Sequence, residues 1–149
     1  MFACFLEHHP PLHEFFFKDI TQYIVNIPKI ENLHSDELFR NCAYCIGLMV
    51  EAAKEKIYPY FDGIFNFLKF VYTKTTSPES KDNATSSIMR MIMTNPNKIP
   101  NYYQLVPQLI KELPFTGDVN EEFNGIKFLM FICNTEKSFH NLFVMMFNR

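Results

Sequence analysis

Prolines and polar clusters divide the sequence into runs in which apolar residues recur every three or four positions. Over 13–27 the apolar positions are Phe16, Phe17, Ile20, Tyr23, Ile24 and Ile27, the i, i+3, i+4, i+7 spacing of one helix face. Pro28 ends that run. Ser35 or Asp36 is placed to cap a second helix, because a short oxygen-bearing side chain accepts from the free N–H groups of a first turn. The helix predicted over 36–53 carries Leu38, Phe39, Cys42, Ala43, Ile46, Met49, Val50 and Ala53. A third begins after Pro59 and holds Phe61, Ile64, Phe65, Leu68, Val71 and Tyr72. Beyond a turn at 75–79, a fourth opens at Ser80 with Ala84, Ile88, Met91 and Ile92. A fifth carries Tyr102, Leu105, Val106, Leu109, Ile110 and Leu113, with Pro107 predicting either a kink or a start nearby. Asp118 then caps a sixth, in which Val119, Phe123, Ile126, Met130 and Cys133 share the helical spacing, and a last helix is predicted over about 138–148. No stretch alternates with period two, so the expected class is all-α.

The helices recur in pairs. Ile64-Phe65-Asn66-Phe67-Leu68-Lys69 aligns with Val106-Pro107-Gln108-Leu109-Ile110-Lys111, 42 residues later. Asn41-Cys42-Ala43-Tyr44-Cys45-Ile46 aligns with Asn83-Ala84-Thr85-Ser86-Ser87-Ile88 at the same distance, and 118–133 follows more weakly. Two helices per unit at a period of roughly 40 to 47 is the HEAT or armadillo range. The expected fold is therefore an all-α HEAT-repeat superhelix in a single unit, with hairpins over 13–53, 58–94 and 102–134 and partial repeats over 1–7 and 138–149. Stacking follows from the faces. Each large apolar side chain gains roughly 1.5–3 kcal/mol on burial, and a lone hairpin cannot cover all of its own, whereas neighbours can. Phe139, Leu142, Phe143, Met146 and Phe147 read as the first helix of a further pair, and Phe2, Phe5 and Leu6 as the end of an earlier one. The chain thus reads as a piece of a longer solenoid, with apolar ends that favour self-association.

Composition narrows the function. At 48% hydrophobic and 20% charged the chain is globular rather than disordered, and 17 Phe beside four Gly suit packed helices better than hairpins of strands. A net charge of −2 leaves no basic stripe to neutralise phosphates, which argues against nucleic acid as a partner. The longest apolar run, 42–50, is far short of the ~20 residues that span a bilayer. The start lacks a positively charged region followed by a long apolar core, so no secretory signal is read. Four cysteines are too sparse for a disulfide scaffold. The expectation is an intracellular protein with no membrane partner.

The run Arg40-Asn41-Cys42-Ala43-Tyr44-Cys45-Ile46-Gly47, with its apolar tail Leu48-Met49-Val50-Glu51-Ala52-Ala53, resembles the karyopherin-β (importin-β) family. Lys81-Asp82-Asn83-Ala84 and the run from Leu105 to Pro114 resemble it too, most closely the C-terminal half of the large Ran-binding importins. The likeness is sharpest from Ser35 to Glu122. It departs at Cys42, where that family more often has Ala, and in the Phe-rich outer helices. The resemblance implies a segment of a nuclear import receptor that shuttles between cytoplasm and nucleus. It implies cargo proteins on the concave face, Phe-Gly nucleoporins on the convex face, and Ran-GTP through other repeats of the full-length protein. By the same analogy the first helix of each pair lies outside and the second lines the inside. The rival expectation is a HEAT-repeat scaffold or regulatory subunit of another complex.

No enzymatic chemistry is expected, nor any cofactor or metal. Cys42-Ala43-Tyr44-Cys45 is a CxxC, but it sits mid-helix in an apolar run with no preceding strand, so the simpler reading is core. A zinc site drawing on Cys4, His8, His9 or His13 lacks a second pair to complete it. Asn83-Ala84-Thr85 fits the glycosylation pattern inside a predicted helix, where it is incidental. Nothing resembles a nucleophile elbow, a phosphate-cradling loop or a metal-binding helix motif. The candidate protein-binding residues are Asn41, Asn83, Arg90, Glu121 and Glu122 on the inner helices, with Phe61 and Phe65 on the outer ones. Asn amides suit extended peptide backbone and carboxylates suit basic signals; against this, Arg40, Asn41, Asp82 and Asn83 also fit a polar ladder joining one repeat to the next. Phe61, Phe65, Phe67, Tyr102 and Tyr103 are the aromatic candidates for a groove that takes Phe side chains.

Overall fold

The computed structural model describes residues 13–135, with side chains from Phe17 onward. The expected partial repeats over 1–7 and 138–149, and the zinc candidates Cys4, His8, His9 and His13, lie outside what is described. Within it stand six α-helices and no strand: α1 (His13–Asn26), α2 (Asp36–Ala53), α3 (Phe61–Lys74), α4 (Pro78–Thr94), α5 (Tyr102–Lys111) and α6 (Glu122–Thr135). Short 3-10 turns join several of them, at Ile27–Lys29, Glu31–Leu33, Lys54–Tyr60, Pro96–Lys98 and Val119–Glu121. The chain is an all-α helical repeat.

Local chemistry sets the helix ends. The Ser35 hydroxyl accepts from the Leu38 N–H at 3.2 Å, and Asp36 and Glu37 in the first turn suit the positive end of the helix dipole. Ser77 plays the same part for α4, accepting from the Ser80 N–H at 3.2 Å, with Pro78 as the first helical residue. Lys54 follows α2 at φ 49, a positive φ that a right-handed α-helix does not hold, so the α-helix stops at Ala53. Pro107 stands inside α5 rather than at its start.

The second helices of the pairs form a row. α2 lies against α4 along most of its length, α4 lies in turn against α6, and α1 packs on both α2 and α3. Ile46, Met49, Phe61, Ile64, Phe67 and Phe128 are among the side chains fully removed from water. The central helix differs from the sequence expectation in an informative way. Its apolar positions predict one buried face, yet Ser80 and every residue from Asp82 to Ile92 are buried. α4 tolerates burial on all sides because most of its polar residues are small and Ser80, Asp82, Asn83, Ser86, Ser87 and Arg90 find partners across a seam.

α6 also departs from expectation. The stripe Val119, Phe123, Ile126 and Met130 reads as the core face, but these residues are 70, 64, 47 and 61% exposed. The face turned inward holds Glu121, Asn124, Gly125, Phe128 and Ile132 instead. The helix is apolar on two sides, so periodicity alone does not choose between them.

Candidate functional site

Two polar seams flank α4. On the α2 side, the Ser80 hydroxyl donates to the Asp36 carbonyl at 2.8 Å and the Ser87 hydroxyl donates to the Ala43 carbonyl at 2.7 Å. The Asp36 carboxylate accepts from Thr75 and, at 3.4 Å, from Thr76 in the turn before α4. Gly47 permits this approach: a methyl group there would sit 2.5 Å from the Ser87 oxygen and 3.1 Å from Arg90 Nη1. On the α6 side, one Asp82 oxygen accepts from the N–H groups of Gly117 and Asp118 at 2.7 and 3.0 Å. The Asn83 amide donates to Asp118 at 2.9 Å and to the Glu79 carbonyl at 2.8 Å. Arg90 Nη2 donates to both oxygens of Glu121, which also accepts from Ser86 and Asn124. Gly117 has no room for a side chain, since a Cβ would lie 2.4 Å from the Glu79 nitrogen.

This geometry reassigns most of the residues singled out from sequence. Asp82, Asn83, Arg90 and Glu121 are buried repeat-to-repeat ties, so they are withdrawn from any partner surface. Burial of Asn83 also closes the Asn83-Ala84-Thr85 pattern to glycosylation. A buried, fully bonded carboxylate such as Glu121 has no free oxygen for a basic cargo side chain. Glu122 is half-buried and accepts from the Phe115 N–H at 2.9 Å, fixing the turn ahead of α6. Asn41, with Arg40 beside it, is exposed and remains open to a partner. Phe61 is 1% exposed and packs edge-to-face on Tyr58, so it is core and not groove. Phe65 is 6% exposed and is likewise buried. Of the other aromatic candidates, Phe67 is buried, Tyr102 half-buried and Tyr103 exposed.

Phe65 nevertheless contributes to an apolar cavity, a slot of ≈ 220 Å³ between α3 and α5. Phe65, Ile88, Leu105 and Leu109 line it, with Thr85 of α4 at its base. Lys69 Nζ stands 4.7 Å over the Phe65 ring, and the Tyr72 hydroxyl donates to Glu112 Oε1 at 2.7 Å across the rim. That bond to a carboxylate, followed by partial burial, holds the Tyr72 phenol above its usual pKa. The slot joins adjacent repeats, so no single helix reveals it. Its signal in the sequence is the 42-residue recurrence that brings Phe65 beside Leu105 and Leu109. A larger, open depression of ≈ 890 Å³ lies at the ends of α2 and α4, among Glu51, Lys54, Glu55, Lys56, Arg90 and Lys127. Charges of both signs there select neither an acidic nor a basic partner.

Cys42 and Cys45 are buried, and desolvation pushes their thiols up to about 11 and about 12. Such thiols are poor nucleophiles and poor metal ligands, because both roles need the thiolate. Among the described residues no group of three His, Cys, Asp or Glu side chains converges, and no helix is long and apolar enough to cross a membrane. Comparison of the chain with protein-family models, with curated proteins and with solved structures finds no match.

Proposed function

We propose that this chain is a protein-binding segment of a nuclear import receptor of the importin-β type, and that its slot between α3 and α5 takes an aromatic side chain from a partner such as a Phe-Gly nucleoporin. The slot is the observation that carries the reading. A cavity of roughly 150 Å³ lined by aliphatic and aromatic side chains is enough to hold benzene, so ≈ 220 Å³ accommodates a phenyl ring. An aromatic anchor in such a pocket brings much contact area for little ordering cost. The resemblance of 40–53 to karyopherin-β repeats supports the choice of partner. Cargo contact then falls on exposed residues of the second helices, Asn41 among them, and Ran-GTP is engaged through other parts of the full-length protein.

The deciding experiment is an NMR or calorimetric titration with a Phe-Gly-repeat peptide and a Ser-Gly control. Phe-dependent shifts confined to α3 and α5 support the proposal. Equal response to both peptides, or none, removes it. The interlocked seams around α4 favour a second reading, a HEAT-repeat scaffold in another complex, in which the repeats hold partners at a fixed spacing. In that case neither peptide binds.

A further inference from the structure

The slot does not end at Phe65. A second cavity of ≈ 530 Å³ continues it between α3 and α5, and Phe65, Lys69, Leu105 and Gln108 wall both. Tyr72, Thr73, Leu109 and Glu112 belong to the slot alone, whereas Asp62, Asn66, Asn101 and Gln104 belong to the continuation alone. The two cavities therefore form one groove that follows both helices from their N-terminal toward their C-terminal ends. From Asp62 to Thr73 it runs for about 16 Å at 1.5 Å per helical residue, the reach of about five residues of extended chain.

Its two halves differ in chemistry. The slot is apolar, but the continuation is walled by amides. Asn66, Asn101 and Gln104 are exposed, and Gln108 adds a fourth amide at the junction, where its Nε2 donates to the Gln104 carbonyl at 3.5 Å. A side-chain amide offers both donors and an acceptor, as a peptide bond does. A row of them suits a main chain rather than one particular side chain. Charge is sorted along the groove as well. Lys69 lies over the Phe65 ring at the junction, and Glu112 at the slot end is engaged by Tyr72. Asp62 at the opposite end is exposed and stands outside the ion pairs of the described residues. From Asp62 to the junction at Lys69 is about 10 Å along α3, or about three residues of extended chain.

We propose that this groove binds an extended peptide of a partner protein, with an aromatic side chain in the slot, the main chain across the amides, and a Lys or Arg about three positions away beside Asp62. The proposal rests on the reading of the slot as an aromatic site and adds a selectivity that the slot alone lacks. Lys69 disfavours a basic residue next to the ring, so the match to Asp62 also fixes the spacing.

Two blocked peptides, Phe-Gly-Gly-Lys and Lys-Gly-Gly-Phe, cover both chain directions. Each is paired with a control carrying Gln for Lys, and N-acetylphenylalaninamide supplies the ring alone. NMR titrations at low salt use the full chain, native and with Asp62→Asn, Asp62→Lys, or Asn66→Ala with Gln104→Ala. One Lys peptide should bind the native chain about two- to fivefold tighter than its Gln control, the scale of an exposed ion pair. Asp62→Asn should abolish that difference and Asp62→Lys should reverse it, both leaving the ring alone bound as before. The paired amide deletion should weaken both peptides about threefold or more without changing the ring alone. Phe-dependent binding in which Lys and Gln peptides are equal in both directions overturns the proposal and leaves the slot reading intact. A Lys preference that survives Asp62→Asn overturns it in the same way. Absence of any Phe-dependent binding instead removes the slot reading, and this proposal with it.

Discussion

Arg90 and Glu121 meet across the seam between α4 and α6 through two hydrogen bonds of 3.2 and 2.8 Å, both side chains almost wholly out of water. Removing Glu121 leaves the buried Arg90 charge only the exposed Glu51 carboxylate, 3.6 Å from Nη1, a loss approaching the roughly 3–5 kcal/mol of an uncompensated buried charge. Glu121→Ala is therefore expected to lower stability by that order, read from the urea unfolding midpoint of the full chain. The double change Arg90→Met with Glu121→Leu should cost less than the sum of the two single changes, because no lone charge remains. A Glu121→Ala chain within about 1 kcal/mol of the native one would show that the pair is not a structural tie. The expected loss also means that charge reversal at Glu121 reports on folding before it reports on any partner.

Gly47 and Ser87 set how closely α2 and α4 approach. A methyl group at position 47 would sit 2.5 Å from the Ser87 oxygen, so something must shift. Gly47→Ala is expected to destabilise by about 1–3 kcal/mol, the usual range for overpacking, even though Ala is the better helix former. Ser87→Ala in the same chain should recover part of this, since it removes the nearest atom while losing only the bond to the Ala43 carbonyl. A double mutant as unstable as the sum of the singles would mean that Ser87 is not what Gly47 accommodates.

Much of this arrangement is legible in the sequence, and what is not has a physical cause. The second helix was expected over 36–53 and spans Asp36–Ala53. The fourth, expected to open at Ser80 after a turn, starts two residues earlier at Pro78 with Ser77 as its cap, and the 42-residue recurrence shows that hairpins repeat. Asp82 and Asn83 do fit the polar ladder between repeats that their positions suggest, but the full burial of these two with Arg90 and Glu121 is hidden, because a polar residue buried with a partner looks, one chain position at a time, like a solvated one. Their partners lie 31 to 36 residues away, beyond any local pattern. The orientation of α6 is hidden for a different reason. Its sequence has two apolar stripes, and only contact with α4 decides that Phe128 and Ile132 turn inward while Phe123 and Met130 face out. Phe61 and Phe65 were placed on the correct helix, but period 3.6 does not tell a groove wall from core.

Cys42 and Cys45 give the fold a specific response to alkali. Burial raises their folded-state pKa values to about 11 and about 12, while an unfolded thiol titrates near 8.5. As pH rises through about 8.5, the unfolded chain loses thiol protons that the folded chain keeps, so the unfolded state binds fewer protons and stability falls. Below that pH the contribution is fully present. Urea midpoints at about pH 7.5 and about pH 10 should therefore drop more in the native chain than in one carrying Cys42→Ala and Cys45→Ala. Equal drops would place the alkaline sensitivity in tyrosines and lysines instead. The same burial predicts that neither thiol reacts with maleimide until the chain is unfolded.

Leu105 is the residue through which the slot can be closed without emptying the core. It is half-buried on α5 and lines the slot opposite Phe65, whereas Leu109 and Ile88 are buried. Leu105→Glu places a carboxylate at the mouth, where an incoming phenyl ring would have to strip its water. Tenfold weaker binding of a Phe-Gly peptide, about 1.4 kcal/mol, is the expected scale, with the unfolding midpoint changed far less than by Glu121→Ala. Tyr72→Phe acts on the same mouth in the opposite sense, because it deletes the bond to Glu112 that spans the rim. That bond is exposed and worth roughly 1 kcal/mol or less, so the variant should fold normally and bind the peptide as well as the native chain or a few-fold better. Titration of the three chains with one peptide gives the order Tyr72→Phe at least equal to native, and native well above Leu105→Glu. Binding that ignores Leu105→Glu would move the aromatic site away from the α3–α5 slot.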